Sequence, residues 1–142
     1  MGCSLNSTQE AALNNAVLSY VESHNGGAVM KFVSITHPNV VAYYKGMGDD
    51  AFKRKFELFS QLDGGDYIQD GTVWEIETEG KTIHARYTFL SVEETYDLFN
   101  STEIEVIAIS EDNGVTWFFV DATDYKNDSV FKDDFRLLEL KE

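Results

Sequence analysis

EIEVIAISEDNGVTWFFVDA, residues 103–122, is the stretch that decides the fold. Two arms rich in β-branched and aromatic residues flank a polar segment, Glu-Asp-Asn-Gly. Side chains of those two kinds favour β-strands. Asn-Gly between apolar runs is a strong signal for a β-hairpin, because both residues tolerate a positive φ. The stretch therefore predicts two antiparallel strands joined by a tight turn.

The turn allows two registers of strand pairing. A two-residue loop places Ala108 opposite Phe119, whereas a three-residue loop places Ile107 opposite Phe119. Because side chains alternate between the faces of a strand, a slip of one residue exchanges the two faces. We favour the three-residue loop, since it separates an entirely apolar face from a mixed one. That apolar face would hold Ile104, Val106, Ala108, Phe118, Val120 and Ala122.

The same turn resembles the Asp-box of sialidases and related β-proteins. The pattern S-x-D-x-G-x-T-W is matched by Ser110, Asp112, Gly114, Thr116 and Trp117. In those proteins the motif is a structural hairpin, in which the aspartate folds back onto turn amides and the tryptophan packs beneath. The resemblance covers eight residues in a single copy, so it implies a structural turn and not a sialidase.

Size and charge restrict the class of protein. A chain of 142 residues with 43% hydrophobic and 13% aromatic residues is typical of a single domain with a packed core. The formal net charge of −14 argues against binding to nucleic acid or to anionic membrane surfaces, since both require a basic surface. It is compatible with cationic partners, with divalent ions, or with solubility alone. No stretch approaches the length of a transmembrane segment.

The amino-terminal residues 1–6 are expected to be a flexible leader, followed by one domain over residues 7–142. Cys3 is the single cysteine, so an internal disulfide and a cysteine-based zinc site are excluded. The Gly-Cys pair at residues 2–3 has two interpretations. In one, the chain is a bacterial envelope lipoprotein trimmed at its cleavage site, with Cys3 lipidated. In the other, it has an ordinary cytosolic amino terminus. N-myristoylation is disfavoured by Asn6, where serine or threonine is preferred.

Hydrophobic periodicity predicts helices first and strands afterwards, which is an α+β pattern. A long helix is capped by Ser7 or Thr8 and ends at residues 25–27. Shorter helices cover residues 28–36, a segment opened by Pro38, and residues 51–62. Strands cover residues 72–78 and 82–90, joined tightly through residues 79–81. Residues 91–101 are expected to be a linker, and residues 124–142 to end in a strand or a helix.

This order of elements resembles the nuclear transport factor 2-like superfamily, which includes SnoaL-like and ketosteroid-isomerase-like domains of the cystatin-like type. The resemblance implies N-terminal helices packed in a curved antiparallel sheet that forms a cone, whose mouth often holds a ligand. It also implies a homodimer through the outer face of the sheet, with Trp117 and Phe119 as contacts. The chain departs from the family pattern in a break at residues 37–38 and in lacking an early strand.

Candidate site residues follow from the expected pocket. We predict that a ligand would be bound by Tyr44, Trp74, His84, Arg86 and Asp121. In enzymatic members of the superfamily, an aspartate or histidine moves a proton and a tyrosine or acid stabilises an oxyanion. Groups of the right type are His84, Arg86, Glu105, Asp121, Tyr43 and Tyr44. No pair matches a catalytic motif of that superfamily, so no catalytic residue is assigned.

Two charged clusters receive structural interpretations. The basic residues 53–55 are expected to form a solvated helix face. Hard cations prefer carboxylates, but the aspartates of the tail lack the spacing of an EF-hand loop, so no metal site is predicted. Those aspartates are Asp121, Asp124, Asp128, Asp133 and Asp134. Phosphate-binding glycine motifs are also absent from the sequence, and we predict no cofactor.

The sequence thus predicts a non-catalytic domain that binds a small apolar ligand or another protein. The alternative is a SnoaL-like enzyme, an isomerase, dehydratase or hydrolase that acts on a small apolar carbonyl compound by acid–base catalysis. Burial distinguishes the two hypotheses. His84 or Asp121 in a closed apolar cavity beside a tyrosine hydroxyl would favour the enzyme.

Overall fold

The computed structural model describes residues 5–26, 28–56, 66–94, 99–132 and 135–139, with only the backbone described in parts of the strands. Among these residues, four helices come first: α1 (Ser7–Asn25), α2 (Val29–Ile35), α3 (Pro38–Gly46) and α4 (Asp49–Phe56). Four strands follow: β1 (Asp66–Glu79), β2 (Thr82–Glu94), β3 (Phe99–Ser110) and β4 (Phe118–Asp121). A single helical turn, α5 (Ala122–Tyr125), comes after them. The strands form one antiparallel sheet in the order β1-β2-β3-β4. The α+β prediction is confirmed.

The helix starts follow local capping chemistry. The side chain of Asn6 accepts a hydrogen bond from the Gln9 amide at 2.8 Å, and the Gln9 side chain accepts one from the Asn6 amide at 3.0 Å. This reciprocal pair is a capping box. The prediction that Ser7 or Thr8 caps α1 was therefore wrong by one residue. Pro38 does open α3, as predicted, where its missing N–H costs no helical hydrogen bond.

One face of the sheet packs against α1, and we call it the helix face. Leu13, Val17 and Tyr20 form the buried stripe of α1. The Tyr20 ring stacks on Phe89 at 4.7 Å and tilts against Phe119 at 4.9 Å. The other buried strand residues of this core are Ile83, Ala85, Tyr87, Val106 and Ala108. The predicted packing of the sheet on the first long helix is confirmed.

The opposite face, which we call the tail face, is also buried. Its strand residues Ile107, Ile109 and Val120 contact a second cluster supplied by the chain itself. That cluster contains Val40 of α3, Phe56 of α4, and Tyr125, Val130, Phe131 and Leu138 of the tail. The tail therefore covers the sheet. Among its described residues, α5 is followed by turns and by a 3₁₀ conformation at Phe135. The surface that we expected to be left for a partner is covered by the chain's own residues.

The register of the central hairpin differs from the preferred prediction. Ala108 pairs with Phe119 and Ile107 pairs with Val120, which is the register of the two-residue loop. The three-residue alternative was wrong because its argument assumed that one face must be mixed. Since both faces are covered, both can be apolar, and the pattern of side chains no longer selects one register.

The predicted linker between the second and third strands needs correction, and part of one predicted helix lies outside the described residues. Strands β2 and β3 remain paired out to Glu94 opposite Phe99, so most of the predicted linker over residues 91–101 is strand. Buried Val92 lies within this extension. The hairpin between β1 and β2 is confirmed, with Glu79 opposite Thr82. The second half of the helix predicted over residues 51–62 falls outside the described residues.

The turn of the central hairpin is held by its own polar side chains. The Ser110 hydroxyl donates to Asp112 at 2.9 Å and accepts from the Gly114 amide at 2.8 Å. Asp112 accepts from the Thr116 amide at 2.8 Å, and this hydrogen bond lowers the pKa of the carboxyl. The Trp117 indole donates to the Gly114 carbonyl at 3.0 Å and is buried. These groups close the turn and have a structural role.

Gly114 provides a test of this turn against two other glycines. It has φ +86°, and an added Cβ would lie 2.6 Å from the Gln9 side chain, so Gly114→Ala combines backbone strain with a clash. We expect a loss of about 2–4 kcal/mol in the free energy of unfolding. Gly80 has φ +62° with open space around it, so Gly80→Ala should lose only about 1–2 kcal/mol. Gly46→Ala adds a Cβ into open space in α3 and should lose nothing. Urea titrations measure the series, and equal losses for Gly114→Ala and Gly46→Ala would contradict the model of the turn.

Candidate functional site

An open groove with a volume of about 450 Å³ lies beside the last turn of α1. Helices α1, α2 and α4 form one side of it, and β3, β4 and α5 form the other. The helices contribute Tyr20, His24, Phe32 and Lys55. The strands and α5 contribute Glu103, Ile104, Glu105, Asp121, Ala122 and Thr123. The groove therefore joins an apolar interior to a charged margin.

Aromatic side chains supply the apolar part of the groove. The Tyr20 ring is buried and lies 5.3 Å from the Phe32 ring. Ile104 packs against the same core. Burial raises the pKa of the Tyr20 hydroxyl well above its ordinary value, and Asp121 raises it further. The hydroxyl therefore stays protonated at neutral pH.

Lys55 is the centre of an ion-pair cluster behind the groove. Its ammonium lies 2.7 Å from a carboxylate oxygen of Asp121 and 2.7 Å from one of Asp124. The same ammonium lies 5.2 Å from the centre of the Tyr44 ring, and the Tyr44 hydroxyl donates to Asp124 at 2.7 Å. Burial acts to lower the pKa of Lys55, but Asp121 and Asp124 outweigh it and raise that pKa. Burial and the bond to Asp124 raise the pKa of Tyr44 to about 12. Both groups therefore remain protonated at neutral pH.

Arg86 is engaged in a second cluster. Its guanidinium donates to Glu105 through Nε and to Glu75 at 3.2 Å through a terminal nitrogen. Burial acts to lower the pKa of Arg86, but the two carboxylates outweigh it and raise it. Arg86 is therefore connected to the groove through Glu105, which lines it.

His84 lies on the tail face, away from the groove. Its Nδ1 is 2.7 Å from the Tyr125 hydroxyl, which itself accepts a hydrogen bond from the Leu138 amide at 3.0 Å. Because the Tyr125 oxygen already accepts from Leu138, we infer that its hydroxyl donates to Nδ1 of a neutral imidazole. The Nε2 of that imidazole is buried and has no hydrogen-bond partner among the described residues. The His84 ring packs 5.2 Å from the Phe135 ring. Burial, with His37 as a second cause, lowers the pKa of His84 to about 4. The imidazole thus helps to fasten the tail to the sheet.

His37 makes a similar structural contact nearby. Its Nδ1 accepts from the Asn39 amide at 3.1 Å, so its Nε2 carries the proton and donates to Glu111 at 2.9 Å. Burial lowers the pKa of His37, although the bond to Glu111 opposes that shift. The backbone amide of His37 donates to the Phe119 carbonyl at 2.9 Å. The break between α2 and α3 is therefore bound to both the sheet and the hairpin turn.

The residues predicted to bind a ligand do not converge on one point. Asp121 lines the groove, while Tyr44 and Arg86 reach it only through ion-paired neighbours. His84 is buried on the opposite face of the sheet. The Trp74 side chain lies outside the described residues.

The remaining predicted residues concern assembly and lipidation. Trp117 and Phe119 are only 4% and 1% exposed in the single chain and lie in the core of the helix face, so in this conformation they do not present an outer surface. Dimerisation itself stays a prediction. Cys3 lies outside the described residues, and its lipidation likewise stays a prediction.

Sequence reasoning missed most of the groove. Tyr20 and Phe32 were not among the predicted site residues, and Lys55 was assigned to a solvated helix face. A signal for Lys55 was present, since it follows Phe52 by three residues and so shares its side of α4. The contribution of Glu103 depends on how β3 passes the end of α1, which no local pattern encodes.

Comparisons of the chain with family models, with curated proteins and with solved structures found no match in any of the three. Among the described helices, none has the length and apolar character needed to cross a membrane. Within the same described residues, no group of three or more histidine, cysteine, aspartate or glutamate side chains is arranged to hold a metal ion. The function must therefore be argued from the groove itself.

Replacing Lys55 tests the ion-pair cluster. Lys55→Met leaves the buried Asp124 carboxylate without its cation, so we expect a loss of about 3 kcal/mol in the free energy of unfolding. Lys53→Met removes the same charge from an exposed position of α4 and should change stability by less than about 0.5 kcal/mol. Denaturant titrations of both variants give the comparison. Equal effects would show that Lys55 is not structurally important.

The pH dependence of stability tests His84. Its pKa is about 4 in the folded chain and about 6.5 when unfolded, so the unfolded chain binds the proton more tightly. Keeping His84 neutral in the folded chain therefore lowers the free energy of unfolding at acidic pH. This loss is absent above about pH 6.5, grows as the pH falls, and reaches about 3 kcal/mol near pH 4. His84→Gln removes this titration. We expect the variant to be less stable at pH 7, and the gap to wild type to narrow by about 3 kcal/mol by pH 4. A gap independent of pH would contradict the buried neutral state of His84.

Proposed function

We propose that this chain is a non-catalytic domain that binds a small organic molecule in the groove beside α1. The observation that carries the proposal is the groove, with an aromatic interior formed by Tyr20 and Phe32 and a polar margin. Its volume of about 450 Å³ lies in the range of about 300–1,000 Å³ that is usual for small-molecule sites. Helices against an antiparallel sheet, with a recess at one end, also support the proposal of a nuclear transport factor 2-like cone.

The state of the polar groups supports binding without catalysis. A general base must reach the proton that it removes and must be free to accept it. Asp121 is held by Lys55, and the Tyr44 hydroxyl is held by Asp124. His84 is enclosed on the other face of the sheet. These groups have the right chemistry for catalysis, but their hydrogen bonds serve the structure.

One observation favours the alternative, an acid–base enzyme of the SnoaL-like kind acting on a small carbonyl compound. His24 lines the groove, and burial lowers the pKa of its imidazole, so it is a neutral base at pH 7. It lies on the same helix as Tyr20, one turn further along. Turnover of a small carbonyl compound that is abolished by His24→Asn would favour the enzyme over a binding domain.

Blocking the groove tests the proposed binding function. The neutral fluorescent probe N-phenyl-1-naphthylamine should bind in a saturable manner with enhanced emission, because the aromatic interior removes it from water. Thr123 is exposed and lines the groove, so Thr123→Trp should fill it and weaken binding at least about tenfold. Val115→Trp is the matched control, since Val115 is exposed on the hairpin turn and outside the groove lining.

Before binding is compared, circular dichroism and thermal unfolding of both tryptophan variants are measured to test whether they are folded. Absence of saturable binding to the wild-type chain would overturn the proposal. An equal loss of affinity in the two variants would also overturn it, because the probe would then bind elsewhere.

A further inference from the structure

We infer that the groove selects an organic cation, an amphipathic molecule with an apolar body and an ammonium or amidinium group. The inference rests on the proposed binding function and names the chemical class of its ligand. It is carried by the geometry of the charged groups around an aromatic recess, in which the chain's own cations are shared between carboxylates.

On the helical side, one cation is shared by two carboxylates. Lys55 lies at the same distance, 2.7 Å, from Asp121 and from Asp124. A single ammonium cannot neutralise both carboxylates, so this cluster keeps a net negative charge. Asp121 is the partly exposed member of the pair and lines the groove. A second cation that enters the groove would therefore meet an incompletely neutralised carboxylate.

The strand side repeats the same arrangement. Arg86 is shared by Glu75 and Glu105, and Glu105 lines the groove. Glu103 is exposed and lines the groove two residues earlier on β3. At the groove, five carboxylates thus stand against two cations, Lys55 and Arg86. His24 adds no positive charge at neutral pH, since burial lowers the pKa of its imidazole.

The interior of the groove suits the apolar body of such a ligand. The Tyr20 and Phe32 rings lie side by side, and aromatic faces attract cations as well as apolar groups. The chain already contains an example of this combination, because the Lys55 ammonium is held between two carboxylates and 5.2 Å from the Tyr44 ring. A ligand carboxylate of the same shape would be repelled by the three carboxylates of the lining.

Three test ligands that share a naphthalene ring distinguish the effect of ligand charge on affinity from the effect of ligand shape. At neutral pH, 1-naphthylmethylamine is a cation, 1-naphthalenemethanol is neutral and 1-naphthoate is an anion. Titration calorimetry with the full chain should give an affinity at least about tenfold higher for the amine than for the alcohol, and weakest binding for the carboxylate. The advantage of the amine should shrink when salt is raised from about 0.05 M to about 0.5 M, because screening weakens exposed charge pairs.

Two variants with the same change of net charge locate the effect. Glu103→Gln should weaken the binding of the amine about threefold to tenfold and leave the alcohol unchanged. Glu10→Gln is the control, since Glu10 is exposed in the first turn of α1 and outside the groove lining. It should leave both ligands unchanged.

The outcomes separate the two proposals. If the alcohol binds as tightly as the amine, or if the two glutamine variants behave alike, the inference about cations is overturned and ligand binding stands. If none of the three ligands binds, or if Thr123→Trp fails to weaken them, the proposed binding function itself is overturned.

Discussion

The structure depends on the burial of both faces of β3. Val106, Ile107, Ala108 and Ile109 follow one another in sequence, and none is more than 1% exposed. Because successive strand residues point to opposite faces, such a run requires a cover on each side. Helix α1 covers one face, and α3, α4 and the tail cover the other. Each large apolar side chain buried in this way contributes about 1.5–3 kcal/mol, so the two covers are needed together.

This double cover explains why the groove lies where it does. Helix α1 ends at Asn25, while β3 begins near the same end of the sheet, so the helix face there is only partly covered. Asp124 and Tyr125 are adjacent in the single turn of α5, but their side chains take part in two different sets of polar contacts. Asp124 pairs with Lys55 behind the groove, and Tyr125 bonds to His84 under the tail. One helical turn thus connects the ion pairs of Lys55 with the hydrogen bond that holds the tail against the sheet.

Much of the fold could be predicted from local patterns. The hairpin between β1 and β2, the opening of α3 by Pro38 and the turn around Gly114 each depend on residues close in sequence, and each is present. The register of β3 and β4 was predicted wrongly, because Ile107 and Ala108 are both apolar and the cover on the tail face is supplied by distant residues. The secondary structure of the tail could not be predicted for the same reason. Its sequence has no clear helix or strand periodicity, and its described residues pack through contacts with the sheet.

The site was harder to predict than the fold, because its chemistry depends on which charges the fold brings together. His84 was a reasonable candidate for an exposed strand face, but the tail covers it and makes it a structural group. Lys55 follows another lysine and an arginine in sequence, and only the packing of α4 separates it from them. Partners so far apart in the chain carry no shared local signal.

The negative charge at the groove is a property of this arrangement and not only of composition. An excess of 25 acidic over 11 basic residues makes any surface acidic on average, yet such charges are usually solvated singly. Around the groove, Lys55 and Arg86 are each held between two carboxylates beside apolar side chains. Of these carboxylates only Asp124 is buried, and leaving it without a cation would cost several kcal/mol. Lys55 lowers that cost, and because it also pairs with the partly exposed Asp121, the cluster of one ammonium and two carboxylates lies beside the aromatic residues of the groove.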